Sequence, residues 1–295
     1  QKISKKYKRV FLLNFLPLDN IKCLKIKKLI YDHKKNSNFF IFELDNSGFP
    51  DKMIKKNILL KIIKFGSLKN IYFKLINFIF DLYLSELRPN YYLVAGYKKK
   101  LKYKDFNKKK IIDFNTWDNS NLKFSNHKSL KKNHIVLVDG AGPYTVSDRE
   151  FLGRRHFLTN EIWYRDLNLF FNKLEKYFRC KIIIANHPNT EFNGYPKHFY
   201  GRRAITGKTL ELIKYSKFII TRQSTALSHA LYFKKPILLI YSDENKQDFY
   251  DISILNNISK AIASQKININ EKINFKKLKK NLEINYSLYN SYLKQ

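Results

Sequence analysis

The sequence predicts an α/β protein with two domains, each built on a parallel sheet. Three observations carry that expectation. Short apolar runs bounded by polar turn residues alternate with longer segments of helical period, the pattern of parallel strands joined by crossover helices. That rhythm stops in a polar stretch, WDNSNLKFSNHKSLKKN (117–133), and then restarts. The chain has 295 residues, 44% of them hydrophobic, which suits one large or two medium globular domains.

The first half opens with KRVFLLNFL (8–16) as a strand, then IKCLKIKKLIYDHKK (21–35) as a helix and NFFIFEL (38–44) as a second strand. NSGFPD is a turn, with Gly48 and Pro50 as its punctuation. Two helices follow over 53–65 and 68–87, separated by Gly66-Ser67 and stopped by Arg88-Pro89. YYLVAG (91–96) and KKIIDFN (109–115) complete the set as strands. Past the polar stretch, HIVLVDGAGP is a strand running into a Gly/Pro turn. NEIWYRDLNLFFNKLEKYF (160–178) has helical spacing, with Trp163 and Tyr164 as core residues of its first turns. KIIIANHP (181–188), FIITR (218–222) and PILLIY (236–241) are strands. Helices are expected over 207–216, 224–233 and, as one tail helix, 273–293. His229, one turn into the second of these, is a packing residue. The expected division is an N-terminal acceptor-side domain (1–125), a C-terminal donor domain (126–270) and a C-terminal helix (271–295) that packs back on the N-terminal domain. Ligands of such sheets sit at the carboxyl ends of the strands, and two facing domains leave a cleft.

Lys+Arg 57 against Asp+Glu 24 gives a formal charge of +33. Heavy joint use of Lys, Asn, Ile, Phe and Tyr accounts for part of it as compositional drift. The rest suits a polyanionic partner. Lysine is scattered and no RNA-binding aromatic signature accompanies it, which argues against nucleic acid and for peripheral contact with an anionic membrane surface. Cys23 and Cys180 form no CxxC pair and no Cys/His cluster, so neither a disulfide framework nor a zinc site is expected, and a reducing cytoplasm fits. The most apolar long stretch, IYFKLINFIFDLYL (71–84), is interrupted by Lys74, Asn77 and Asp81 and is too short to span a bilayer.

Two phosphate-loop look-alikes fail on spacing. GRRAITGKT (201–209) has five residues between its glycines where a Walker loop has four, and GAGPYT (140–145) puts Thr145 where a dinucleotide fingerprint has its third glycine. Three strand ends carry more. Asp139 closes a hydrophobic strand before Gly140, a position for a general base with close backbone approach beside it. His187 is held extended by Pro188, which aims its imidazole. Arg222 ends a third strand, and Ser224 and Thr225 are expected to open the next helix, where free amides favour phosphate.

Val138-Asp139-Gly140, His187-Pro188 and Ser224-Thr225 together resemble the D/E-D/E-G, HP and Ser-Ser/Thr motifs of bacterial sialyltransferases with the GT-B fold, and of relatives that use CMP-activated nonulosonic acids or Kdo. The resemblance covers about residues 134–242. It implies a metal-independent glycosyltransferase with two Rossmann-like domains, a CMP-sugar donor, no cofactor, and a glycan or lipid-linked acceptor at the inner membrane. By the same resemblance Asp139 would deprotonate the acceptor hydroxyl, and His187, Ser224 and Thr225 would hold the CMP phosphate. Val138 stands where the family has its first acidic residue, so the anomeric outcome stays open. Arg202 is a further donor-binding candidate, as a bidentate partner for carboxylate or phosphate. Asn14 and Asp118 are candidates for acceptor binding. The alternatives are a GT-B enzyme using a UDP- or GDP-sugar, a related epimerase or pyruvyl transferase, and a basic polyanion-binding protein.

Overall fold

The computed structural model describes residues 10–14, 26, 28–29, 39–45, 90–94, 111–113, 134–140, 142–144, 157–187 and 195–293. Expected helices 53–65 and 68–87 and the polar stretch 117–133 lie outside the described residues. Of the expected helix 21–35, only 26, 28 and 29 are described, and all three are helical. The chain divides into two compact units, one holding the first four strands and the other every described residue from His134 onward.

In the first unit, β1 (Val10–Asn14), β2 (Phe39–Asp45), β3 (Tyr91–Val94) and β4 (Ile111–Asp113) lie side by side in that order. All three pairings are parallel, with Val10 opposite Phe39, Phe42 opposite Tyr91 and Tyr92 opposite Ile111. Ile41, Tyr92 and Val94 are buried. The Asn90 side chain accepts from the Ile41 amide at 2.9 Å and so closes the lower end of β3 against β2.

The second unit is a six-stranded parallel sheet of β5 (His134–Val138), β6 (Lys181–Ala185), β7 (Ala204–Ile205), β8 (Ile219–Thr221), β9 (Ile237–Tyr241) and β10 (Gln265–Asn268). Its order is β10-β9-β8-β5-β6-β7. The chain starts in the middle, builds out to β7, then returns past β5 to build the other side. That is the doubly wound arrangement, and its switch point lies between β5 and β8.

One face of this sheet is covered by α1 (Asn160–Phe178). Its residues Trp163, Tyr164, Leu167, Phe170, Phe171, Leu174 and Phe178 recur at helical spacing and are all buried. Arg179, in the left-handed region at φ 51°, ends it. The other face is covered by α2 (Thr209–Tyr215), α3 (Leu227–Tyr232) and α5 (Phe249–Ile262), with the short α4 (Asp243–Lys246) between β9 and α5. The expected single tail helix is two: α6 (Phe275–Asn281) and α7 (Tyr286–Leu293). Asn274 and Asn285 each offer a side-chain oxygen to an amide three residues on, at 2.9 and 3.0 Å, so each helix has its own cap. The break lets the chain change faces: Leu278 joins the core under α1, and Tyr289 joins the core under α3 and α5.

Candidate functional site

The register of the second sheet aligns the ends of its central strands. Val138 lies opposite Ala185 on one side and Thr221 on the other. The next residues, Arg222, Asp139 and Asn186, therefore form a row across β8, β5 and β6, neighbours being about 4.8 Å apart in the pairing direction. Pairing persists one step past the strands. The Asp139 amide donates to Ala185 O at 3.1 Å, and the Asn186 amide to Ile205 O at 3.0 Å. Side chains alternate along a pleated strand. Leu137, Ile184 and Ile220 face the α1 side, so Asp139, Asn186 and Arg222, two residues further on, face it too.

Trp163, in the first turn of α1, meets this row. The Arg222 guanidinium carbon lies 5.2 Å from the Trp163 ring centroid, a cation–π distance. Arg222 also pairs with Asp251 Oδ2 at 2.7 Å. Asp251 is 3% exposed, and its amide is held by Asp248 Oδ1 at 3.1 Å. Gln223 donates to the Asp251 carbonyl at 3.3 Å. The β8 end is thus anchored to the start of α5. Gly140 brings the β5 loop against the β8 loop: a Cβ there would stand 3.5 Å from Gln223 O. Gly142, at φ +40°, lies on Trp163, where a Cβ would come within 3.0 Å of Nε1 and 3.1 Å of the Tyr164 hydroxyl. That contact and that φ together require glycine.

Two atoms in this place have no hydrogen-bond partner. Trp163 Nε1 and Asn186 Oδ1 are buried and unsatisfied, in side chains 3% and 5% exposed. Buried polar atoms are nearly always paired, and leaving one unpaired costs about 1–3 kcal/mol. A donor and an acceptor left over beside Asp139 and Arg222 are what a polar ligand would satisfy.

The sequence candidates divide accordingly. Asp139, Gly140 and Arg222 come together at the switch point. His187 follows Asn186 at the same edge and is half-buried, with strand alternation turning it toward the opposite face. Pro188 and Asp118 lie outside the described residues. Asn14 ends β1 in the first unit, opposite Glu43.

Ser224 and Thr225 do not open the helix. It begins at Leu227, because Ser224 Oγ accepts the Ala226 amide at 3.2 Å and the next three amides close tight turns onto the carbonyls of Ser224, Thr225 and Ala226. Both hydroxyls therefore sit in the turn between β8 and α3, with Thr225 exposed.

Arg202 is spent on α1. It donates to Asn168 Oδ1 (2.6 Å), Asn172 Oδ1 (2.5 Å) and Glu175 Oε2 (2.9 Å), and stacks over Phe171 at 5.3 Å. It precedes β7, at the end of that strand away from the row. The structure gives it the work of clamping the turn Tyr195–Phe199 to α1. Asn186 and Trp163 were not among the sequence candidates. Asn186 was signalled as the first polar residue after KIIIA. Trp163 looked like core, and it is core, but one with an unsatisfied N–H.

No family model and no curated protein matches the chain. Solved structures do. A structure of Staphylococcus aureus MnaA with UDP shares 13% identity over 99% of this chain and 71% of that one, with a TM-score of 0.51. A kitacinnamycin glycotransferase shares 9% identity over 91% and 68%, at 0.47, and the UDP-GlcNAc 2-epimerase of Methanocaldococcus jannaschii 12% over 96% and 71%, at 0.45. At such identities the likeness is one of fold. The chain has the fold of the GT-B class, two Rossmann-like α/β units each on a parallel sheet.

Proposed function

We propose that the chain is a glycosyltransferase that takes a sugar from a nucleotide-activated donor and passes it to a hydroxyl of a glycan or lipid-linked acceptor. The observation that carries this reading is the Arg222–Asp139–Asn186 row beneath Trp163, at the switch point of a doubly wound sheet, where such folds take nucleotides. The Arg222 cation suits a phosphate. Asp139 would take the acceptor proton, and Asn186 Oδ1 and Trp163 Nε1 would accept from and donate to the donor. Ser224 accepts an amide and keeps its own hydroxyl proton to give. His187 would protonate or neutralise the departing phosphate.

For the donor, the three motif matches support a CMP-linked nonulosonic acid or Kdo. A single phosphate can be neutralised by these donors without a metal, and the proposed enzyme works without one. The proposed setting is the cytoplasm, at the inner face of the membrane. Among the described residues no helix is long and apolar enough to cross a membrane. A second reading, a UDP- or GDP-sugar enzyme or an epimerase, is supported by the MnaA structure being one with UDP.

Calorimetry with CMP, UMP, UDP and GDP at moderate salt tests both. CMP bound about tenfold more tightly than UDP, a difference of about 1.4 kcal/mol, is the expected result. The reverse order moves the assignment to the second reading, and no nucleotide binding ends both. With the donor in hand, His187→Ala should cut turnover about 100-fold or more while leaving the circular dichroism unchanged. Full activity in that variant would remove His187 from the site.

A further inference from the structure

We infer that the outer face of α1 and α6 is a docking surface for an anionic lipid bilayer. The inference concerns a region apart from the nucleotide row and stands whichever donor is used. The charge of this unit is unevenly placed. Lys173 and Lys176 on α1 and Lys276, Lys277, Lys279 and Lys280 on α6 are all exposed. The four helices on the opposite side of the sheet, α2, α3, α5 and α7, together expose one lysine, Lys260. Compositional drift would load both sides alike.

The patch is built as an amphipathic surface. Phe275, Leu278 and Leu282 turn α6 inward onto the core, which leaves its lysines outward on both flanks. Tyr177 of α1 stacks on Phe275 with ring centroids 5.3 Å apart, which joins the two helices into one face. On that face Leu169 and Tyr177 are 54% and 40% exposed, an apolar element among the lysines. Exposed Glu271 and Glu283 flank α6 at its two ends, so its four lysines still outnumber them, and two acids on α1 are held within the unit. Glu175 is held by Arg202 and by the Ile182 amide, and Asp166 pairs with Arg165.

The chemistry favours lipid over nucleic acid. Readers of single strands stack bases on open aromatic faces. Here one face of Tyr177 is covered by Phe275. All six cations are lysines, point charges on long stems that lie along an apolar boundary while the ammonium reaches headgroup phosphate.

The test uses the full chain and two triple variants that lower the formal charge equally: K276E/K277E/K280E in the patch, and K208E/K246E/K260E away from it. Each is sedimented with vesicles of phosphatidylglycerol and phosphatidylcholine, and with phosphatidylcholine alone. The unaltered chain should partition about tenfold or more in favour of the anionic vesicles, with the preference falling at high salt. The patch variant should lose about tenfold of that partition and the control less than threefold. Equal losses in the two variants would mean diffuse charge attraction and overturn the inference. Equal binding to neutral vesicles would also overturn it, as would displacement of the anionic vesicles by single-stranded RNA at equal phosphate. Retention of nucleotide binding by the patch variant shows that its loss is one of docking, separate from the proposed donor site.

Discussion

The core between the β5–β10 sheet and α1 holds seven buried aromatic rings, five of them on α1 itself and the others Phe199 and Phe218. Against α2, α3, α5 and α7 the sheet packs Val, Ala, Leu and Ile, with Tyr289 the one buried ring in the cluster. Both faces exclude water well, yet all three residues of the polar row turn to the aromatic one. Rings explain the choice. An indole holds a guanidinium over its face and offers an N–H at its edge, which no aliphatic side chain can do. The aliphatic face fills space and seals the sheet. The pleat of one sheet thus separates the polar row from the aliphatic packing, with His187 alone of that sheet's strand-end candidates turned to the aliphatic side.

That separation can be broken by experiment. On the aromatic side, Asp139→Asn should lower turnover about 100- to 10,000-fold, as loss of a general base does, while the denaturation midpoint stays close to the parent's. Retained turnover would mean that the row binds without performing the chemistry. Across the sheet, Leu239 is fully buried on the aliphatic side. Leu239→Ala should cost about 3 kcal/mol in denaturant unfolding and leave nucleotide affinity unchanged in the folded protein. A matching loss of affinity would show that the two faces are not separable.

The smallest effect lies at high pH. Burial pushes the Tyr292 phenol up to about 12, and raises Tyr289 above the usual tyrosine range as well. Both pKa values are raised on folding, so the neutral phenols contribute fully below the unfolded value of about 10. That contribution is lost as pH climbs from there through the folded values. Alkaline titration followed by far-ultraviolet circular dichroism should show unfolding steepen above about pH 10, and Tyr292→Phe should flatten it. An unchanged slope would mean that α7 is not the alkaline weak point.

Much of this was legible along the chain. The α1 bounds, Asn160–Phe178, follow from ring and leucine spacing alone, and the β5, β6, β8 and β9 runs are apolar and β-branched enough to read directly. The two edge strands of the second sheet were not legible, though β1 and β4, the edges of the first, were read as strands. β7 is two residues long, and β10 reads QKIN. An edge strand is paired on one side only and need not be apolar, so its sequence can carry little signal. The tail looked continuous because Leu278, Leu282 and Tyr289 fit helical spacing, whereas Asn274 and Asn285 are caps that only their amide partners reveal.

The sequence by itself determined the class of fold, the restart of the pattern in the second half, and the placing of Asp139, His187 and Arg222 at strand ends. Those features are local: periodicity, β-branching and turn chemistry act over a few residues. Tertiary structure decided which ends stand together. Strand order put β8 beside β5, with Thr221 opposite Val138, 83 residues earlier, and donating its hydroxyl to the Val138 carbonyl at 3.1 Å. Register then set Asn186 in the row, and packing spent Arg202 on α1 instead. Pairing between distant strands depends on the whole sheet's burial, and no short stretch of sequence contains it.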